Sequence, residues 1–247
     1  MSNFRLTIAY DGSRYNGWQR QGNTPNTVQG KIEAVLAQLF GHKIEVHGSG
    51  RTDAGVHALA QIASFHADTD LSAGDIRQYL NRYLPEDIAV TGAETAPERF
   101  HARLNAVRKT YVYRLWTRDY PNVFERKYMY TVDAAPDADR MREAAKLLLG
   151  RHDFIGYSSL KKTKKSTIRT IESIDITEHE GELRLTFTGD GFLYNMVRII
   201  SGTLLEVGLG EREPEVAALA LKTLDRADAG LTLPARGLTL VNVEYER

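Results

Sequence analysis

The sequence predicts an α+β fold made of two β-α-β-β-α-β units. Three observations predict it. From residue 4 to residue 95, stretches of alternating apolar and polar residues and stretches with apolar residues at helical spacing follow one another in that order. A second series from Thr110 to Tyr245 repeats the order, although the halves share no convincing sequence repeat. The 247 residues, 42% hydrophobic and 26% charged, suit one large domain or two small ones with an ordinary apolar core.

In the first half, Phe4, Leu6, Ile8 and Tyr10 alternate, so residues 4–10 read as a strand closed by an Asp11-Gly12 turn. Ser13 to Asn23 is a polar loop carrying Arg14, Tyr15, Trp18, Gln19, Arg20 and Gln21. Exposed aromatics among bases and amides suit nucleotide contact, and Trp18 suits a core anchor equally well. Asn26 to Phe40 reads as a helix, with Asn26 and Gln29 placed as a capping box and Val28, Ile32, Val35, Leu36, Leu39 and Phe40 as its apolar stripe. Strands are expected at 44–48 and 58–66. Ser72 is placed to cap a helix running to about Leu84, with Leu71 and Ile76 as a hydrophobic staple and Ile76, Leu80 and Tyr83 on one face. Residues 88–95 complete a ferredoxin-like pattern.

In the second half, Thr110–Trp116 is a strand, and Pro136–Leu149 is a helix stopped by Gly150. Residues 168–178 and 182–189 form a hairpin around Glu180-Gly181. Asn195–Val207 is apolar on most faces and reads as a buried helix, Glu213–Leu224 as another helix, and Leu238–Tyr245 as the last strand. The expected division is 1–105 and 106–247. Units of this kind pack helices on one sheet face and leave the other open, so a central cleft is the expected ligand site.

Composition excludes several chemistries. With no cysteine there is no disulfide framework, zinc-thiolate site or thiol nucleophile. No run of eighteen apolar residues occurs, and the start lacks a signal-peptide core, so the expected location is cytoplasmic. The seven histidines show no H-x-x-x-H or H-E-x-x-H spacing, and no metal is expected. The glycines near residue 50 lie between strand patterns rather than ahead of a helix, which argues against a P-loop or Rossmann site. Net charge is zero, but its signs are segregated. Arg99 to Arg118 holds six bases, Arg103, Arg108 and Lys109 among them, and no acid. Arg151 to Arg169 holds six more, including Lys161, Lys162, Lys164 and Lys165, against Asp153 alone. Such runs permit a local phosphate-binding face, and they suit plain solvated surface as well.

The stretch Gly48-Ser49-Gly50-Arg51-Thr52-Asp53-Ala54-Gly55-Val56-His57 lies between two of these strands. Its glycines allow close backbone approach, and an acid beside an arginine at a hairpin tip is both reactive and kept ionised. Composition alone favours an ordinary surface hairpin. The residue order is more specific. Gly50 to Ala58 reads G-R-T-D-A-G-V-H-A and resembles, without departure, the catalytic signature of the tRNA pseudouridine synthases of the TruA family. Tyr10 to Gln19 resembles the family's N-terminal motif, whose following loop grips tRNA. Phe192-Leu193-Tyr194-Asn195-Met196-Val197-Arg198 resembles its F-x-x-x-M-V-R motif. Gly237-Leu238-Thr239-Leu240 resembles its last motif, although the family often has more prolines ahead of it than the single one in Leu233-Pro234-Ala235-Arg236-Gly237.

The resemblance implies a pseudouridine synthase fold with a continuous, mainly antiparallel sheet. It implies isomerisation of uridine at positions 38, 39 and 40 of the tRNA anticodon stem-loop, a homodimer, and no cofactor. It makes Asp53 the catalytic nucleophile, lays Tyr111 against the target base, pairs Arg198 with Asp53 and lines the uracil pocket with Leu238. Arg51 is assigned to the same site, and Arg14, Arg20, Arg103, Arg108 and Lys109 to tRNA. The reaction breaks the N1–C1′ bond, turns the base and joins C5 to C1′, with no atom gained or lost. It needs an ionised carboxylate that either attacks the nucleotide or takes the ribose C2′ proton. An N-glycosidase is the enzymatic rival, but it usually wants a second carboxylate or a held water, and the neighbouring Asp11 reads as a turn residue. A non-catalytic RNA-binding module is the other rival, and an acid in a phosphate-facing pocket argues against it.

Overall fold

The computed structural model describes residues 1–161 and 164–246; Lys162 of the second basic run lies outside the described residues. The fold is mixed α+β with a large, mostly antiparallel sheet. The chain forms two compact units, Met1–Val107 with Leu240–Arg247, and Arg108–Thr239.

The first unit runs β1 (Ser2–Tyr10), α1 (Val28–Phe40), β2 (His47–Gly48), β3 (His57–Ala67), α2 (Ala73–Tyr83) and β4 (Ile88–Ala96). β1 is central, antiparallel to β3 on one side and β4 on the other, and β2 pairs with β3. The alternation at residues 4–10 is realised: Phe4, Leu6, Ile8 and Tyr10 are all buried, and Phe4 stacks on Phe65 of β3 at 5.3 Å.

Four local expectations are corrected. The strand expected at 44–48 shrinks to the two residues of β2. The reason lies in α1: Glu33 Oε1 accepts from the Val46 N–H at 3.1 Å, and Gln29 Nε2 donates to the Val46 carbonyl at 3.0 Å. Two helix side chains thus take the backbone groups that a strand would have offered to its neighbour. The cap of α1 is Thr27, which accepts from the Gly30 N–H, rather than Asn26. The Asn26 side chain instead donates to the Arg14 carbonyl and tethers the loop before the helix. In α2, Ser72 does cap, in a reciprocal capping box with Asp75, and the Ser72 hydrogen bonds hold the Asp75 carboxyl below its usual range. Ile76 and Leu80 are buried, but Leu71 is 39% exposed and makes no staple. Tyr83 leaves the apolar face and packs on Tyr79 at 4.5 Å.

The second unit contains most of β5 (Ala106–Trp116), then β6 (Tyr130–Thr131), α3 (Ala138–Lys146), β7 (Gly150–Asp153), β8 (Ile168–His179), β9 (Glu182–Gly189), α4 (Met196–Gly208) and α5 (Val216–Thr223). It ends in the first residues of β10 (Leu238–Tyr245). Its strands lie in the order β5-β9-β8-β7, all antiparallel, with β6 parallel to β5. Glu180 and Gly181 both have positive φ, the conformation a two-residue hairpin turn requires. α3 starts after Asp137, whose carboxylate accepts from two N–H groups, and it ends three residues short of Leu149. Gly150 then opens β7, a strand that the helix-stop reading hides. α5 also starts later than expected, at Val216. α4 is buried on nearly every face, as its composition predicts. Among the described residues no helix is long and apolar enough to cross a membrane.

Candidate active site

The loop between β2 and β3 carries Asp53 at its turn, half-buried. The Asp53 carbonyl accepts from the Val56 N–H at 3.1 Å, which closes the turn. No ladder fixes the backbone at 51–53, so other contacts must hold it.

They come from residues 10–18. The Trp18 N–H donates to the Thr52 carbonyl at 3.1 Å, and the Gly55 N–H to the Tyr15 carbonyl at 3.3 Å. The Tyr10 and Thr52 hydroxyls share a buried hydrogen bond of 2.8 Å. The Gly12 N–H points at Nδ1 of His57 at 3.0 Å, and Asp11 Oδ1 lies 3.2 Å from the same ring nitrogen. Two glycines make the approach possible. A Cβ on Gly12 would lie 2.0 Å from the Val56 carbonyl oxygen, and one on Gly17 would lie 2.5 Å from that of Thr52. The same segment braces α1, whose Val28 and Gln29 N–H groups donate to the Gly17 and Trp18 carbonyls. Residues 10–18 are therefore wedged between the Asp53 loop and a helix start.

This decides for the core-anchor reading of Trp18 and corrects the reading of Tyr15 as an exposed aromatic. Trp18 is 1% exposed and packs on Tyr10, with ring centroids 6.1 Å apart. Tyr15 is 4% exposed, its hydroxyl bonded to Asp87. Burial, then that neighbouring carboxylate, pushes the Tyr15 phenol well above its ordinary pKa. Both rings are core, and neither is available to a base. The bases of the loop remain at the surface: Arg14 lies 3.6 Å from Asp87 and Arg20 lies 3.2 Å from Glu33. Arg51 is exposed, with Nε donating to Gln19 Oε1 at 3.3 Å. Beneath the loop, the buried Gln61 accepts from the Ser49 hydroxyl at 2.6 Å and donates to the Gly50 carbonyl at 3.0 Å.

The second unit holds the other expected residues. Tyr111, on β5 opposite Phe187, is buried and sits edge-on to Phe192 at 5.3 Å. Tyr113 is fully buried and donates to the Pro234 carbonyl at 2.7 Å; burial raises its phenol far above the ordinary value. It is a packing residue. Arg198, half-buried on α4, donates from Nε to the Leu233 carbonyl at 2.7 Å and from Nη1 to Asn195 Oδ1 at 2.8 Å. Asn195 holds a left-handed backbone with φ 61° at the start of α4 and also donates to Ser159. A non-glycine residue there is uncommon, and its amide is spent on aiming Arg198. Tyr113 and Arg198 together pin the run 233–237, which delivers Leu238, 5% exposed, as the first residue of β10. Of the bases in the first basic run, Arg108 pairs with Glu172 at 2.6 Å and Arg114 chelates Glu182. Burial would raise the Glu182 carboxyl, but Arg114 and Arg184 hold it down at about 2. Arg103 is exposed and Lys109 half-buried.

Sequence reasoning passed over Tyr10, Gly12, Gly17, Thr52 and Asn195. The paired glycines were the available signal, since each marks a close backbone approach. Their partners lie some forty residues along the chain, beyond any local pattern. Among the described residues, no three His, Cys, Asp or Glu side chains come together as a metal site.

Comparison with known proteins adds the following. A family profile described as tRNA pseudouridine synthase matches residues 6–105 and 144–246. The chain is 49% identical over 245 residues to tRNA pseudouridine synthase A of Bacillus sp. (strain KSM-64), covering 99% of this chain and 100% of that one. It is 46% identical, with the same coverage, to tRNA pseudouridine synthase A 2 of Bacillus cereus (strain ZK / E33L). Among solved structures, a chain of a Cbf5-Nop10-Gar1 complex aligns with 96% of this chain and 48% of its own, at 13% identity and a TM-score of 0.40, too slight a likeness to decide anything.

Proposed function

The chain belongs to the tRNA pseudouridine synthase family, and we propose on that premise that it isomerises uridine to pseudouridine at positions 38, 39 and 40 of the tRNA anticodon stem-loop. Asp53 is the nucleophile on a flipped-out uridine. One observation carries the reading: the only acid in the Gly48–His57 loop stands on backbone that the N-terminal segment holds from several sides. Such support is what a reacting group needs and what a surface hairpin does without.

In this reading Arg198 is the charge partner that keeps Asp53 ionised, and Arg51 and Leu238 complete the uridine pocket. Residues 1–105 supply the aspartate loop and residues within 106–247 complete the pocket. Flipping the base out of its stack costs about a few kcal/mol. Tyr111 under the base offsets roughly 1–3 kcal/mol of that by stacking. Replacing Tyr111 with Leu is therefore expected to lower kcat by about tenfold or more while KM moves little. Steady-state kinetics with intact tRNA check this, and an unchanged kcat would leave Tyr111 a packing residue. Arg14, Arg20, Arg103, Arg108 and Lys109 contact phosphates, and the protein works as a cytoplasmic homodimer. A sedimentation mass of one chain at working concentration would remove the dimer.

The experiment for the substrate is positional. Unmodified tRNA is incubated with the protein, treated with a carbodiimide that persists on pseudouridine, and copied by reverse transcriptase. Stops are expected at those of positions 38 to 40 that hold uridine. Stops elsewhere in the tRNA, with none in the anticodon stem-loop, would overturn the assignment of the site.

A further inference from the structure

We propose that Tyr10 and Thr52 are positioning residues for Asp53: their shared hydroxyl–hydroxyl hydrogen bond fixes the backbone from which the carboxylate projects. The inference rests on the reading of Asp53 as the reacting group. Thr52 immediately precedes Asp53 and is 6% exposed. Tyr10 ends β1, and its hydroxyl reaches Thr52 Oγ1 at 2.8 Å in a buried setting. The β1–β3 register slips between Ile8 and Tyr10, where β3 carries one extra residue. A bulge of this kind re-aims the side chains beside it, and here it lies next to Tyr10 at the end of the strand. Burial pushes the Tyr10 phenol above its ordinary value, and either hydroxyl can donate in the bond.

Main-chain bonds hold the carbonyls on both sides of the Asp53 α-carbon. The Thr52 carbonyl is held by Trp18 and the Asp53 carbonyl by Val56. The Tyr10–Thr52 bond adds a side-chain tie at the Thr52 α-carbon, just ahead of those two anchors. Removing the Tyr10 hydroxyl leaves that of Thr52 without this buried partner, whereas the Tyr10 hydroxyl also has Gln61 beside it, and either deletion drives the segment to readjust. A shift of about 1 Å in a reacting group is enough for a hundredfold loss of rate.

The test compares Tyr10→Phe, Thr52→Val, Thr52→Ser and the double variant Tyr10→Phe/Thr52→Val, with Asp53→Asn alongside. All are assayed with tRNA well below their melting temperatures. Each single hydroxyl deletion is expected to lower kcat by about 10- to 100-fold with KM unchanged. The double variant should be no slower than the slower single, because both remove one bond. Thr52→Ser keeps the hydroxyl and should recover most of the loss seen in Thr52→Val. A lowered melting temperature with wild-type kcat would make the bond purely structural and overturn the proposal, as would multiplicative losses in the double variant. Should Tyr10→Phe not fold, the contrast of Thr52→Val with Thr52→Ser decides. Wild-type turnover by Asp53→Asn would overturn the underlying reading, and a dead Asp53→Asn beside an unaffected Tyr10→Phe overturns the positioning role alone.

Discussion

Asp53→Asn is expected to leave a folded protein that binds tRNA within a few-fold of the wild type and turns none of it over. The substitution keeps the shape of the side chain and removes its charge. An amide neither attacks a sugar or base carbon nor takes a proton from ribose, so both routes open to a carboxylate are lost together. Binding should survive because the affinity of an RNA-binding protein comes mainly from phosphate contacts, and an acid contributes none. The fold should survive because the loop is held through its backbone: Thr52 by Trp18, Gly55 by Tyr15, and the Asp53 carbonyl by Val56. Single-turnover rates together with filter binding check the prediction. Loss of binding together with folding would place Asp53 in the structural framework instead.

Trp18→Ala is expected to show the opposite profile. The indole is fully buried against Tyr10, and its ring covers Gly48, where a Cβ would lie 2.4 Å from Nε1. Removing a buried aromatic of this size costs about 3–5 kcal/mol through lost burial and the cavity left behind. Typical domains hold only about 5–15 kcal/mol in total. A fall in melting temperature of about 10 °C or more is expected, read from a thermal melt at neutral pH. Activity should fall as well, because the Trp18 backbone anchors Thr52 and the indole sits behind the loop. Had the ring been a platform for a base, the same change would weaken tRNA binding and leave the melt untouched. That pattern would contradict the packing described here.

The contrast between these residues shows what a sequence makes legible. Phe4, Leu6, Ile8 and Tyr10 announce a strand because alternation is a local property, and every one of them is buried as expected. The buried helix α4 and the Glu180-Gly181 hairpin are legible for the same reason. Lys43–Val46 has strand character too, yet the Val46 N–H and carbonyl are claimed by Glu33 and Gln29, a competition that no local window contains. Trp18 and Tyr15 sit in a polar segment and so look exposed; they are buried because Gly12, Gly17 and Gly48 let remote backbone close around them. For the site, Asp53 stands out through the order of its neighbours rather than through any physical pattern. Two devices, Tyr10 on Thr52 in the first unit and Asn195 on Arg198 in the second, link residues through tertiary contact or an unusual backbone angle. Neither leaves a trace in composition or period.

The most direct test of the central claim is hydrogen release from C5 of uridine. The wild-type protein is incubated with tRNA carrying tritium at that carbon. Because C5 must lose its hydrogen on bonding to C1′, release into water is predicted, with the RNA chain intact and no free uracil. Tight tRNA binding without release would contradict isomerisation and leave a binding protein. Free uracil would contradict it in favour of glycosidic cleavage.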